Sequence, residues 1–192
     1  PSNVTIIGDA AFAGCSSLID VSIPDSVTSI GDDVFENCTS LSSITLNNAS
    51  LNLNILGSDF FTRVNKINIP EGTTEIASYA FYGCSNVTII NIPDSVNTIG
   101  DSAFQNCSGI TSITIPDSVS LITNSAFQDC TGLTNITIGN SVSSIGDSAF
   151  RNCSGITSIT IPDSVLSISD SAFQDCTSLI NVTISNLSLI HI

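Results

Sequence analysis

Seven cysteines fall on one beat. Cys15, Cys38, Cys84, Cys107, Cys130, Cys153 and Cys176 are separated by 23, 46, 23, 23, 23 and 23 residues. Phenylalanines keep the same phase at Phe12, Phe35, Phe81, Phe104, Phe127, Phe150 and Phe173. Isoleucines follow suit at Ile7, Ile30, Ile76, Ile99, Ile122, Ile145 and Ile168. A paired apolar position also recurs, as Ile44 with Leu46, Ile113 with Ile115, Ile136 with Ile138 and Ile159 with Ile161. One coil of this length cannot bury its own apolar side, but a stack of equivalent coils can. The 192 residues hold about eight such coils.

Each coil carries two conformational signals. In Ile110-Thr111-Ser112-Ile113-Thr114-Ile115 the alternation of β-branched residues predicts a short strand, with Ile113 and Ile115 on one face and Thr114 on the other. Proline follows in five coils and ends the strand. Pro-Asp-Ser is then a turn whose aspartate bonds backbone amides ahead of it. Val-x-x-Ile-Gly reads as extended. Asp-Ser-Ala-Phe-Gln-Asn-Cys reads as a short helical turn, capped by Asp101 or Asp147, with Ala, Phe and Cys on one side. Paired coils lie about 4.8 Å apart, so eight span on the order of 40 Å. A second period overlies the first. Ser102–Asn140 matches Ser148–Asn186 at 30 of 39 positions, which points to duplication of a two-coil block.

The pattern Ser-Val-x-x-Ile-Gly-x-x-Ala-Phe-x-x-Cys-x-x-Leu/Ile-x-x-Ile-x-Ile-Pro resembles the 23-residue leucine-rich repeat of the BspA-like, or Treponema pallidum-type, class. The resemblance covers nearly the whole chain. It implies a right-handed leucine-rich-repeat solenoid of about eight 23-residue rungs, with a parallel sheet on the concave face. It also implies a secreted or cell-surface setting and a role in adhesion. It names no ligand, because repeat scaffolds host many partners.

Residues 1–192 are expected to form a single solenoid domain, itself part of a longer chain or assembly. Pro1 stands in the phase of Pro24. The coil at about 47–69 is degenerate: it lacks the Pro-Asp-Ser-Val turn, and Phe61 takes the cysteine phase while Ser58 takes that of phenylalanine. Either local repacking or a specialised patch accounts for this. Arg63 and Lys66, two of the three basic residues, lie in that coil.

Net charge is −14, which excludes a nucleic-acid binder and electrostatic docking on anionic lipid. No run of about 18 apolar residues predicts a membrane span. The sole histidine, His191, has apolar neighbours, so no Ser-His-Asp set can be assembled and no enzyme is expected. The cysteines lack paired Cys-x-x-Cys spacing, and parallel Cβ vectors suit a disulfide poorly. A column of buried, inert thiols is expected, with no cofactor and no metal. Two acidic columns, Asp25, Glu71, Asp94, Asp117 and Asp163, and Asp9, Asp32, Asp101, Asp147 and Asp170, read either as a calcium ladder or as turn residues. Asn140 and Asn124 replace members of the two columns, which favours local hydrogen bonding over charge.

Alternation places a neutral row of hydroxyls and amides on the concave sheet. Its binding-face candidates are Ser43, Thr45, Asn68, Asn91, Ser112 and Thr114, then Asn135, Thr137, Ser158, Thr160, Asn181 and Thr183, together with Arg63 and Lys66. Solvated strands also favour Thr and Ser for structural reasons alone. Nine Asn-x-Ser/Thr sequons head at Asn3, Asn37, Asn48, Asn86, Asn106, Asn135, Asn152, Asn181 and Asn186; in a eukaryotic secreted protein they are N-glycosylation candidates.

Two functional expectations follow. The first is a non-enzymatic extracellular or cell-surface scaffold that binds a protein or glycan. The second is a structural protomer that stacks end to end into a glycosylated extracellular fibril, since a head-to-tail contact that does not close makes a fibre.

Overall fold

The structure, a computed structural model, describes residues 3–47 and 64–185; of Leu46 only the backbone is described. Each fully described coil contributes a long and a short strand. In chain order these are β1 (Ile6–Ile7), β2 (Asp20–Ile23), β3 (Ser29–Ile30), β4 (Ser43–Leu46) and β5 (Lys66–Asn68). Next come β6 (Glu75–Ile76), β7 (Ile89–Asn91), β8 (Thr98–Ile99), β9 (Ser112–Thr114) and β10 (Leu121–Ile122). The last are β11 (Asn135–Thr137), β12 (Ser144–Ile145), β13 (Ser158–Ile161), β14 (Ser167–Ile168) and β15 (Asn181–Ile184).

All pairing is parallel between equivalent residues of neighbouring coils. Ser43 pairs with Lys66 and Lys66 with Ile89, while Ile122 pairs with Ile99 and Ile145. The short strands form one ladder of β6, β8, β10, β12 and β14, and a pair of β1 with β3. The long strands form β2-β4-β5-β7, then β9-β11, then β13-β15. The last two pairs follow the 46-residue block seen in the sequence: the ladder is paired within each block and interrupted between blocks.

The helical turn expected at Asp-Ser-Ala-Phe-Gln-Asn-Cys does not form; among the described residues there are no helices. The backbone bonding gives the reason. Gln105 N donates to Ser102 O (3.1 Å) and Cys107 N to Phe104 O (3.2 Å), which closes two tight turns. The alternate amides point out of the coil: Ser102 N donates to Asn124 O (3.0 Å), Phe104 N to Ala126 O and Asn106 N to Gln128 O (both 2.8 Å). A helix needs every amide bonded along its own axis. Here half of them hold the next coil. The turns require left-handed backbone at Ser102 (φ 54°) and Asn106 (φ 63°).

Asp101 and Asp147 therefore have no helix to cap. Asp101 Oδ1 instead accepts from Asn124 N (3.2 Å), and Asn124 Oδ1 from Asp147 N (3.0 Å), each one coil away. Asp117 Oδ1 likewise accepts from Asn140 N (2.6 Å). The acidic columns stitch coils together, and asparagine makes the same bond.

Columns of equivalent side chains form the interior. Phe81, Phe104, Phe127, Phe150 and Phe173 stack in one run with centroids 5.2–5.3 Å apart. Phe12 and Phe35 stack at 5.6 Å. Val96, Val119 and Val142, and Ile99, Ile122 and Ile145, are fully buried beside them.

Candidate functional site

The long-strand face carries the predicted row. Alternation turns Ile44, Ile67, Ile90, Ile113 and Ile159 inward and leaves the residues on either side outward. Lys66, Asn91, Ser112, Thr114, Asn135 and Thr137 are exposed, as are Ser158, Thr160, Asn181 and Thr183. Ser43, Thr45 and Asn68 are half-buried, and Asn68 Nδ2 donates to Thr45 Oγ1 (3.2 Å). The strand register thus places the candidates side by side on one surface. Ile89 interrupts it as an exposed apolar residue beside Lys66. Arg63 lies outside the described residues, as do Asn48, Asn186, His191 and the Ser58/Phe61 exchange.

The cysteines do more than fill space. Five Sγ–H groups donate to the phenylalanine carbonyl of the preceding coil: Cys38 to Phe12 O (3.1 Å), Cys107 to Phe81 O (3.0 Å), Cys130 to Phe104 O (3.1 Å), Cys153 to Phe127 O (3.0 Å) and Cys176 to Phe150 O (3.1 Å). All seven are free thiols. Burial, then the adjoining Cys84 thiol, pushes Cys107 well above the ordinary thiol range. The hydrogen-bonded Cys130 thiol, then burial, does the same to Cys153. Half-buried Cys176 is pushed up to about 11, chiefly by burial. Groups held protonated in this way are poor nucleophiles and poor metal ligands. Among the described residues no cluster of three or more His, Cys, Asp or Glu is placed to hold a metal ion, and no helix is long and apolar enough to cross a membrane.

The described sequons do not share one surface. Asn37, Asn106 and Asn152 occupy the left-handed position before the cysteine, with φ of 57°, 63° and 55°. Asn152 Nδ2 donates to Asp129 Oδ1 (2.9 Å). Asn135 and Asn181 stand on the exposed strand face, while Asn3 and Asn86 are exposed elsewhere. A glycan on Asn135 would cover the surface that the binding reading uses, so the two roles exclude each other there.

One feature of the face was not read from the sequence. A cleft of about 740 Å³ opens between β11 and β13, lined by residues of both strands and of the turns after them. Its signal is Gly139-Asn140, standing where three neighbouring coils have Pro-Asp.

The BspA type leucine rich repeat region matches the chain in six copies, over residues 1–111 and 98–192. The chain belongs to the BspA-type leucine-rich-repeat family. Solved structures agree with the solenoid described above. A leucine rich cell surface protein from Faecalibacterium prausnitzii is 32% identical, with a TM-score of 0.65 over 97% of this chain. The match takes in 52% of that protein, so this BspA-type chain spans about half its length. The leucine rich repeat protein of Treponema pallidum is 26% identical, with a TM-score of 0.56 over 81% of this chain and 75% of its own. No curated protein matches. Leucine-rich-repeat solenoids are in general scaffolds for binding, their long-strand surface being the part that varies without disturbing the core.

Proposed function

We propose that this chain is a non-enzymatic extracellular scaffold that presents its long-strand face to a protein or glycan. One observation carries the reading: the outward residues of successive strands are held in register over a fully packed interior. The result is a pre-ordered, neutral, hydroxyl- and amide-rich surface. Binding to such a surface loses little conformational entropy. Likeness to a protein described as a cell surface protein supports an extracellular setting. Lys66 adds positive charge to the long-strand face of an otherwise acidic chain, and Arg63, three residues before it in the sequence, is proposed to extend the patch. Residues 1–192 are taken as one domain, with 47–69 a degenerate coil within it. A glycan and matrix-protein array tests the proposal. Loss of a hit in an Arg63→Ala/Lys66→Ala double variant assigns it to that patch, and an array without hits counts against the reading.

A second reading has its own observation. Val182 and Ile184 of β15 are 55% and 67% exposed, whereas their equivalents Ile159 and Ile161 are 4% and 1% exposed. At the other end Val4 and Phe12 are exposed too, whereas Val27 and Phe35 in the same phases are buried. A second copy, docked head to tail in the register of the coils, covers both surfaces and builds a fibril; the sequons then carry its glycans. Negative-stain imaging across a concentration series separates the two readings. Filaments support stacking, and isolated short particles at every concentration refute it.

A further inference from the structure

We infer that the cleft between β11 and β13 is a subsite for a neutral sugar residue. The inference rests on the binding reading above and narrows it to one place and one ligand class.

The cleft has a structural origin. In the coils around it the strand is followed by Pro93-Asp94, Pro116-Asp117 and Pro162-Asp163, but here by Gly139-Asn140. Gly139 packs so tightly on the preceding coil that a Cβ would sit 2.5 Å from Pro116 O and 2.7 Å from Pro116 C. Only glycine permits that approach. The proline ring that fills this position in the sister coils is missing here, and space opens on both sides of the turn: the cleft on the Pro162 side, and a second of about 620 Å³ beside Pro116, Asp117, Thr137 and Gly139. Three further facts agree. β11 pairs with β9 and β13 with β15, while no ladder joins β11 to β13. Ile136 is half-buried, where Ile113 and Ile159 are buried. Ser164 Oγ is buried without a hydrogen-bond partner, although Ser26 and Ser95 in the same phase donate to Val4 O and Thr73 O (both 2.7 Å). A buried hydroxyl left without a partner is destabilising. The gap is thus held open at the expense of a bond that sister coils make.

The lining selects the ligand. Asn135, Thr137, Ser158 and Thr160 offer amide and hydroxyl groups from the two strands, and Asp163 adds a carboxylate acceptor at the turn end. Ile159 and Pro162 supply apolar wall. Donors and acceptors of both kinds around an apolar patch match a sugar ring, which has hydroxyls at its edge and C–H groups on its faces. The volume lies within the 300–1,000 Å³ or so typical of small-ligand sites. Anionic sugars are disfavoured: Asp163 repels them, Lys66 is three coils before β11, on β5, and Arg151 is paired with Asp175 (3.7 Å).

The test uses the whole chain, ¹⁵N-labelled, titrated separately with mannose, galactose, N-acetylglucosamine and sialic acid to high millimolar concentration. At least one neutral sugar is expected to shift amides of Asn135–Asn140 and Ser158–Ser164, with sialic acid without effect there. A Gly139→Pro/Asn140→Asp variant restores the neighbouring coils' turn and closes the cleft, so it should fold and bind at least tenfold more weakly. Thr160→Val, on the exposed face, should also weaken binding tenfold with an unchanged spectrum elsewhere. Shifts confined to other coils, or undiminished binding in the closed-cleft variant, overturn the subsite and leave the face-binding reading standing. Silence with all neutral sugars also overturns it, and the glycan and matrix-protein array then judges the broader reading on its own.

Discussion

Replacing Phe127 by alanine tests whether the column is the source of stability. Phe127 is 1% exposed and lies between Phe104 at 5.2 Å and Phe150 at 5.3 Å, with ring planes within 5° and 3° of parallel. Burying a phenylalanine contributes about 1.5–3 kcal/mol, and each aromatic contact adds about 0.5–1.5 kcal/mol. With two ring neighbours the expected loss is about 4 kcal/mol, inside the ~3–5 kcal/mol range of Phe→Ala changes in packed cores. Phe12 is the comparison. It is 42% exposed and has one ring neighbour, Phe35 at 5.6 Å. Phe12→Ala should therefore lose about 2 kcal/mol. Urea unfolding followed by circular dichroism measures both. Amide hydrogen exchange should show lost protection in the coils flanking Phe127 and little change several coils away, because a solenoid couples nearest neighbours. Equal losses at the two positions, or a loss below about 1 kcal/mol at Phe127, would refute the column as the main stabilising feature.

Three further outcomes are expected. Cys107 and Cys153 stay protonated in the fold beyond the pH at which an unfolded thiol ionises, about 8.5. Their contribution is thus complete below that pH, and each withdraws about 1.4 kcal/mol per pH unit above it. Urea midpoints from about pH 8 to 10 should fall, and a Cys107→Ala/Cys153→Ala variant should fall less steeply; parallel slopes would count against the account. Asn106→Ala places a Cβ-bearing residue without a local hydrogen bond at φ 63° and should cost about 1 kcal/mol, whereas Asn106→Gly should be close to neutral in a thermal melt. Asp101→Asn should keep the bond to Asn124 N and change stability by under about 0.5 kcal/mol, while Asp101→Ala should lose about 1 kcal/mol; equal effects in the same melts would show that charge, and not the bond, is what the column supplies.

Much of the fold was legible because a repeat reports each position many times over. The recurrence of Phe, Cys and Ile every 23 residues defines columns whatever the local backbone does, and the columns are the core. The alternation in Ser-Ile-Thr-Ile fixes which face is outward, so the predicted strand-face residues do share one surface. The misread element was Asp-Ser-Ala-Phe-Gln-Asn-Cys. Its Ala/Phe/Cys spacing suits one side of a helix, but spacing alone does not separate a helix from a double turn of similar pitch. The decisive cue was the position before each cysteine: Gly14, Asn37, Gly83, Asn106, Asp129, Asn152 and Asp175, all at positive φ. Gly, Asn and Asp are the residues that enter the left-handed region most readily, and a helix interior has no use for it. The cleft was less accessible still. Gly139-Asn140 is visible as a departure, but its effect depends on how closely Pro116 approaches, a distance between coils that no one-dimensional pattern encodes.

The same turn chemistry bears on the sequons. At Asn37, Asn106 and Asn152 the first residue of Asn-Cys-Ser/Thr answers to a positive φ, and the second to the thiol column. The third is Ser or Thr even where no sequon exists, at Ser16, Ser85, Thr131 and Thr177. Each of these three requirements holds independently of glycosylation, so the sequons of that phase arise as a by-product of the fold and carry little information about modification. Asn135 and Asn181 differ. They stand on exposed strands, where serine serves equally well at Ser112 and Ser158. Backbone geometry does not demand asparagine there. Their side chains answer to the solvent side alone, and for Asn135 that side is the rim of the cleft.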